Sequence, residues 1–373
     1  MKLIYIAYGN VSVFDSQVIA LLNYYIKSKK VDRIILVLGL DYKTKSNNKL
    51  KNLDPRIEIK LYKQYPQYLL IESLTIKSIF KALRTIENVE DYIVHVRNEV
   101  TAHYAFKAFN KLKANSIRLI ADVRGAGLEQ LTEFSNKNKL VLWLKVKQRK
   151  QVNKSLKNIK NLSVVSDSLK KYVYKNLGEN INVRVNSCLA NQDFKFDDTE
   201  RMILRKSLDI NENENLLLLS TGGDNAWQNT KGTIAMLTEK DFKILNLSKT
   251  EIPHRNVITK FVPYNQMFKY LCAADAAIIF RKKGVTNQVA SPVKFSEYVS
   301  CGLPVLTNDS VDLITDYIKL NNCGQILNSL NAIDSTILST IKKLDRNSIS
   351  IKGQLDFGIE TIANQYIDFY KSI

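Results

Sequence analysis

The chain has 373 residues, 45% hydrophobic and 9% aromatic. That length is long for one core and that composition excludes a disordered chain, so two globular domains are expected. A net charge of +19 requires an acidic partner or surface, and nucleic acid and an anionic membrane are the two candidates.

No apolar run approaches the roughly 18 residues of a membrane span. The apolar start from Met1 to Tyr8 is too short for a signal peptide and ends at the turn Gly9-Asn10, which predicts a buried first strand and a cytosolic protein. From there the pattern alternates. A helix is predicted over Asp15 to Ile26, a strand over Arg33 to Leu40, a strand over Ile57 to Tyr62 and a long helix around Leu70 to Ile86. The strand Tyr92 to Arg97, the helix Thr101 to Leu112 and the strand Ile117 to Val123 follow. Helices between fully apolar strands imply a parallel sheet covered on both faces.

Ligands bind such sheets at the carboxyl ends of the strands. His95 and Arg97 stand at one strand end, and Asp122, Arg124 and Glu129 at another; each is a candidate ligand or a satisfied polar group beside a loop. Gly9 and Asn10 close the first strand, either as an ordinary turn or to admit a ligand close to the backbone.

Residues 134 to 166 hold no acidic side chain, while Lys137, Lys139, Lys145, Lys147, Arg149, Lys150, Lys154, Lys157 and Lys160 lie among them. Leu140 to Leu144, with Trp143, is apolar all round a helix, and Val152, Leu156 and Ile159 continue as a stripe. Two readings fit: an interfacial helix on an anionic leaflet, with Trp143, Lys145, Lys147, Arg149 and Lys150 as its contacts, or a core-packed helix with a solvated lysine face.

The strand Leu162 to Val165, the helix Asp167 to Leu177 and Asn182 to Val185 complete the first domain, and the chain crosses over at about Asn186 to Asp193. The second domain opens with the apolar strand Leu216 to Ser220. It runs into a loop containing Gly222, Gly223 and Lys231-Gly232, a phosphate cradle on general grounds, before a helix from Thr233 to Leu237. A strand over Val257 to Phe261, a helix over Val262 to Leu271 and a strand over Ala273 to Phe280 are next, with Arg281, Lys282 and Lys283 at the end of the last.

The loop 284 to 290, containing Asn287, then leads to Ser291 as an N-cap and Pro292 at the first helical position. The helix that follows carries Val293, Lys294 and Glu297 and stops at Cys301-Gly302 before the strand Leu303 to Leu306. Its N-terminus offers free N–H groups to an anion. Lys294 and Glu297 share one side, either as a surface ion pair or as a cation for phosphates beside a carboxylate for ribose hydroxyls. A helix over Val311 to Leu320, a strand over Gly324 to Leu327, a helix over Ala332 to Leu344 and a terminal helix through Ile359, Ile362, Tyr366 and Tyr370 finish the chain.

The stretch Ser-Pro-Val-Lys-Phe-Ser-Glu-Tyr-Val-Ser-Cys-Gly-Leu-Pro-Val-Leu, residues 291 to 306, resembles the donor-site signature of GT-B glycosyltransferases. It is most similar to bacterial family 4 (group 1) enzymes that build capsule, O-antigen and related glycans, and a weaker likeness extends over nearly the whole chain. The resemblance implies two Rossmann-like α/β domains facing a cleft. The first, over 1 to 187, would bind the acceptor and be joined by a crossover helix over 355 to 373; the second, over 188 to 354, would bind the donor.

It also implies retaining transfer from a nucleotide-diphosphate sugar, UDP foremost, to a glycan or lipid-diphosphate-linked acceptor. No cofactor is expected, nor a metal, since no Asp-x-Asp pair is present to hold one, and the basic stretch over 134 to 166 would place the protein at the inner face of the membrane. Lys231, Lys294, Arg281 and Asp122 would act in catalysis, the last through the acceptor. Glu297, Ser291, Pro292, Val293, Gly222, Gly223, Gly9 and Asn10 would line the donor, and Arg124, His95, Asn287 and Glu129 the sugar and acceptor. The sequence departs from the family at two places. Val289 stands where a first glutamate is common, and Arg124 stands where the family's Asp-x-His-Gly segment has histidine.

Two other classes compete. A sugar-nucleotide epimerase shares the fold but needs cleft histidines and carboxylates, and only His95, His103 and His254 are present. A nucleic-acid-binding protein would use the charge, yet that charge accompanies Leu140 to Leu144 rather than spaced aromatics, so no nucleic-acid partner is expected. Cys188, Cys272, Cys301 and Cys323 have no paired spacing and read as core thiols.

Overall fold

The computed structural model describes residues 1–9, 13–43, 48–67, 71–114, 116–134, 138–220, 230–238, 240, 242–249 and 251–373, with backbone alone at 48, 49, 230 and 231. The chain divides into two compact units, Met1–Ser187 with Ala363–Ile373, and Cys188–Ile362.

The first unit is built on β1 (Lys2–Tyr8), β2 (Arg33–Asp41), β3 (Glu58–Gln64), β4 (Ile93–Arg97), β5 (Arg118–Val123), β6 (Asn161–Val164) and β7 (Asn182–Val185). They form one parallel sheet in the order β3-β2-β1-β4-β5-β6-β7. Its helices are α1 (Ala20–Lys27), α2 (Glu72–Leu83), α3 (Glu99–Leu112), α4 (Gly127–Glu133), α5 (Lys139–Ile159) and α6 (Asp167–Leu177). β1 and β2 bury every interior residue, which explains their unbroken apolar runs. A buried polar chain ties three helices: His103 Nδ1 lies 2.7 Å from Ser155 Oγ, its Nε2 lies 3.4 Å from Glu72 Oε2, and Lys107 donates to Glu72 Oε1 at 2.8 Å.

The second unit carries α7 (Asp198–Ser207), β8 (Leu216–Ser220), α8 (Thr230–Thr238), β9 (Lys243–Leu247), β10 (Val257–Thr259), α9 (Met267–Ala273), β11 (Ala276–Ile279), α10 (Val285–Gln288) and α11 (Val293–Ser300). It continues with β12 (Val305–Thr307), α12 (Asp312–Asn321), β13 (Gly324–Ile326), α13 (Ser335–Lys342), α14 (Arg346–Phe357) and the start of α15 (Ile359–Lys371), whose residues from Ala363 belong to the first unit. Its sheet is again parallel, in the order β10-β9-β8-β11-β12-β13. Each sheet reverses its strand order once, between β1 and β4 and between β8 and β11, and ligand crevices open at such points.

Among the described residues, one strand and four α-helices lie outside the sequence expectations: β9, α4, α7, α10 and α14. The amphipathic signal of α7 is charged. Arg201 and Arg205 hold it by binding Asp275 and the carbonyls of Cys272, Ala273 and Ala274, while Met202 and Ile203 stay exposed. α14 packs through small residues. Ser350 Oγ donates to Ser300 O at 2.6 Å, and a Cβ on Gly353 would come within 2.5 Å of the α11 backbone at Val299. The predicted helix over Val262 to Leu271 begins later, as a 3₁₀ turn at Tyr264–Gln266 followed by α9.

None of the four cysteines is in a disulfide and all are buried, as core thiols. Among the described residues no helix is long and apolar enough to cross a membrane.

The end of α11 is tightly set. Gly302 has φ +63°, and a Cβ there would lie 2.2 Å from Arg346 O. Gly302→Ala combines left-handed strain with a backbone clash, so we expect a loss of about 2–4 kcal/mol in urea unfolding. A change under about 0.5 kcal/mol would mean that the corner relaxes freely.

Candidate active site

In the second unit the switch point between β8 and β11 is where the opening helix of the signature stands. Tyr298 of α11 bonds Ser220 at the end of β8, and Ser296 Oγ donates to Cys188 O at 2.7 Å, so α11 is fixed beside the carboxyl edge. The expected cap is different from the sequence reading. Pro292, not Ser291, occupies the N-cap position, without a side-chain cap, because Ser291 Oγ accepts from Cys188 N at 3.2 Å instead. Phe295 N donates to Pro292 O at 2.9 Å.

Glu297 is 1% exposed. Lys294 Nζ sits 3.1 Å from its Oε2 and also 3.1 Å from Met267 Sδ. The pair therefore forms, but not on the surface: the carboxylate end is buried, and Oε2 faces the ammonium without a directed hydrogen bond. Val289, at the family's first-glutamate position, is buried at the end of α10 and brings no carboxylate.

Arg281 leaves the end of β11. Burial lowers its guanidinium to about 10, and the groups that act against that shift are Tyr298 and Cys188 rather than a carboxylate. It remains cationic at neutral pH. Its Nη1 donates to Asn287 Oδ1 at 3.3 Å, and Asn287, fully buried, donates its Nδ2 to Lys282 O at 2.8 Å. Asn287 is thus a buttress of this loop. Asn308 adds a two-way clamp on the arginine backbone, its Oδ1 accepting from Arg281 N at 3.2 Å and its Nδ2 donating to Arg281 O at 2.8 Å. The sequence reading missed Asn308, which lies one residue past β12 with no motif to mark it.

Gly222, Gly223 and Asn10 lie outside the described residues, as does the side chain of Lys231. Gly9 donates its N–H to Gly39 O at 2.9 Å, which extends the β1–β2 ladder past the end of β1.

The first unit gathers Asp122, Arg97, Arg124 and His95 at the ends of β4 and β5. Asp122 is fully buried, with Arg124 Nη1 3.4 Å, Arg97 Nη1 3.6 Å and His95 Nε2 4.0 Å from Oδ2. Burial pushes its carboxyl up, but Arg124, Arg97 and His95 together hold it below the usual range. His95 is also fully buried, ringed by Tyr5, Tyr366 and Tyr370, and its Nδ1 lies 2.5 Å from the Tyr370 hydroxyl. Burial lowers it to about 4, so it is a neutral core group and not a surface contact. Glu129 receives the Tyr172 hydroxyl, and Arg149 turns inward to Glu99 at 2.7 Å instead of facing solvent with its basic neighbours.

Two parallel sheets, each with one switch point, match known proteins in three dimensions. Anabaena HepE in complex with UDP and glucose superposes with a TM-score of 0.72 at 11% identity over 100% of both chains. The chain has the GT-B fold. Sucrose-phosphate synthase from Thermosynechococcus elongatus follows at TM-score 0.71 and 13% identity, covering 100% of this chain and 99% of that one. WaaG, a glycosyltransferase involved in lipopolysaccharide biosynthesis, gives 0.70 and 13% with 100% of both chains covered. No protein-family model and no curated protein sequence matches. Identities this low carry the GT-B architecture and leave the substrate to the site itself.

The buried neutral His95 gives the GT-B chain a pH signature. Its value falls from 6.5 to about 4 on folding, so its stabilising contribution is intact above about pH 6.5 and is lost as the pH falls towards 4. Asp122, also lowered, acts below its ordinary 3.8 and so outside that window. We expect His95→Asn to flatten the fall in melting temperature between about pH 6.5 and 4. An unchanged pH profile would remove His95 as its source.

Proposed function

We propose that the protein transfers a sugar from a nucleoside diphosphate sugar, UDP foremost, to a hydroxyl of a glycan or lipid-linked glycan. The observation that carries this reading is Arg281. It is a desolvated guanidinium that donates to the amide oxygen of Asn287, with no carboxylate among the groups that set its charge, beside the N-terminal end of α11 that also bears Lys294 and the buried Glu297. Such a group favours an anion. A diphosphate answers to Arg281, Lys294 and the N–H groups that follow Pro292, with Val293 and Ser291 at its edge, and ribose hydroxyls answer to Glu297.

As the sugar–phosphate bond breaks, negative charge grows on the leaving diphosphate, and cations fixed beforehand stabilise it without reorganising. In this reading they supply the charge that a metal would otherwise bring, and the reaction proceeds with retention. The second unit is then the donor domain and the first the acceptor domain. Arg124 orients the acceptor from the end of β5, and the buried Asp122 acts through it by holding its guanidinium. HepE in its UDP and glucose complex supports the choice of donor class, and WaaG that of a surface-glycan product. The epimerase alternative loses weight because His95 and His103 are fully buried.

The acceptor domain would work at an anionic leaflet. α5 leaves Leu140 66% and Trp143 56% exposed at its first turns, while Val152, Leu156 and Ile159 pack inward near its far end. Lys147 lies over the Trp143 ring at 5.1 Å, which joins cation and aromatic in one patch. Lys139 and Lys150 are exposed on the same helix, with Lys145 partly so. Arg149 is committed to Glu99 and drops out of this surface.

Glu297→Gln is expected to weaken UDP-sugar binding by roughly 1–3 kcal/mol, through loss of a charge-assisted hydrogen bond, with an unchanged melting temperature. Lys294→Ala should lower kcat more than it raises KM. Thermal shift with UDP, GDP, CMP and their sugars, followed by turnover of the best donor, tests both. No shift with any nucleotide would sink the transferase reading.

Vesicles of anionic lipid should sediment the protein at low salt and release it as salt rises, since each lysine near such a surface contributes about 1 kcal/mol. Replacing Trp143, Lys145, Lys147 and Lys150 should abolish most of that binding. Equal sedimentation of this variant would place the contact elsewhere.

A further inference from the structure

One carboxylate of the first unit is only half used by the fold and takes no part in the donor chemistry. Glu99 opens α3 directly after β4, at the switch point of the first sheet, and is 7% exposed. Its Oε1 accepts from Arg149 Nη1 at 2.7 Å. Its Oε2 is buried with no hydrogen-bond partner. A buried charged acceptor left unmet carries its desolvation cost uncompensated, and such a group calls for a partner.

The surroundings hold Glu99 in this position. Asn98, a non-glycine residue, sits at φ +78° and ψ 136°, a strained corner fixed by two bonds: its N–H donates to Asp122 O at 3.0 Å and its Oδ1 caps Val100 N at 2.9 Å. Arg149 reaches Glu99 across Gly127, where any Cβ would stand 2.6 Å from its guanidinium carbon. Tyr172, which donates to Glu129, interacts electrostatically with Glu99 and Arg149, so the four side chains form one cluster.

The charges of this cluster select its ligand. Glu99 and Glu129 outnumber Arg149, and the nearby Arg97 and Arg124 are engaged by Asp122 at 3.6 and 3.4 Å. A phosphate or carboxylate would meet a net negative face. A neutral donor of hydrogen bonds would not.

We propose that Glu99 binds a hydroxyl of a neutral pyranose through Oε2, with Arg149 as its positioning residue and Glu129–Tyr172 flanking the same ring. The site takes the sugar end of the acceptor. In that role it rests on the transferase reading, while the binding itself does not.

Saturation-transfer NMR on the full chain with the methyl glycosides of glucose, galactose and N-acetylglucosamine tests this, alongside thermal shift with UDP. At least one glycoside should saturate in the parent protein. That signal should fall about tenfold or more in Glu99→Gln, the loss of one charge-assisted hydrogen bond, and in Glu99→Asp, which withdraws the carboxylate by one methylene. The UDP-induced shift should be unchanged in both, and Arg149→Lys should weaken the glycoside alone. No glycoside signal in the parent, or equal signals in both Glu99 variants, overturns the proposal. Glycoside binding that depends on Glu99, with no response to UDP in any form, keeps this site and sinks the transferase reading instead.

Discussion

The second unit depends on how one short helix is pinned at its C-terminal end. α11 carries the candidate donor residues on its first two turns, but its last turn is where the chain leaves no freedom. Arg346 Nε donates to Gly302 O at 2.9 Å while its Nη1 reaches Cys272 O and Ala274 O, each at 2.9 Å, tying the ends of α9 and α11 to the start of α14. Its guanidinium also lies 4.3 Å from the Phe196 ring centre. Burial lowers it to about 10, so it remains a cation, and carbonyl oxygens at two helix ends are what stabilise it there. With the C-terminal end held, the N-terminal N–H groups and Lys294 have a fixed aim.

The two units solve the problem of buried charge differently. In the second, Asp275 takes both Arg201 and Arg205, so charge serves the scaffold at the start of β11 while Arg281 at its other end is left with amides. In the first, charge collects at the carboxyl edge itself, where Asp122 engages two arginines and Glu99 a third. A strand that is neutral along its length and charged at its ends is the economical arrangement for a parallel sheet, since only the ends reach loops and helix termini.

Much of this was legible in the sequence. The apolar strands and the Ser291 to Leu306 stretch announce two parallel sheets and a helix beside a crevice, because unbroken apolar runs and a Pro–Gly frame are local signals. What escaped was nonlocal. α7 is held by arginines bonded to a partner about seventy residues away. α14 depends on glycine and serine fitting against α11, which no hydrophobic period records. Ser291 reads as a cap, and only the fold brings Cys188 close enough to take its hydroxyl. His95 and Asn308 teach the same point from opposite sides: a residue at a strand end turned into the core, and an unmarked asparagine turned out to clamp an arginine.

The cysteines have a further use. All four fall within Cys188–Ile362, and all four are buried. A thiol reagent added to the native protein therefore reacts only through openings of the second unit, and the first unit contributes no background. The labelling rate of each sulfur becomes a clock for local opening of the second unit at its own depth, read without inserting a single probe.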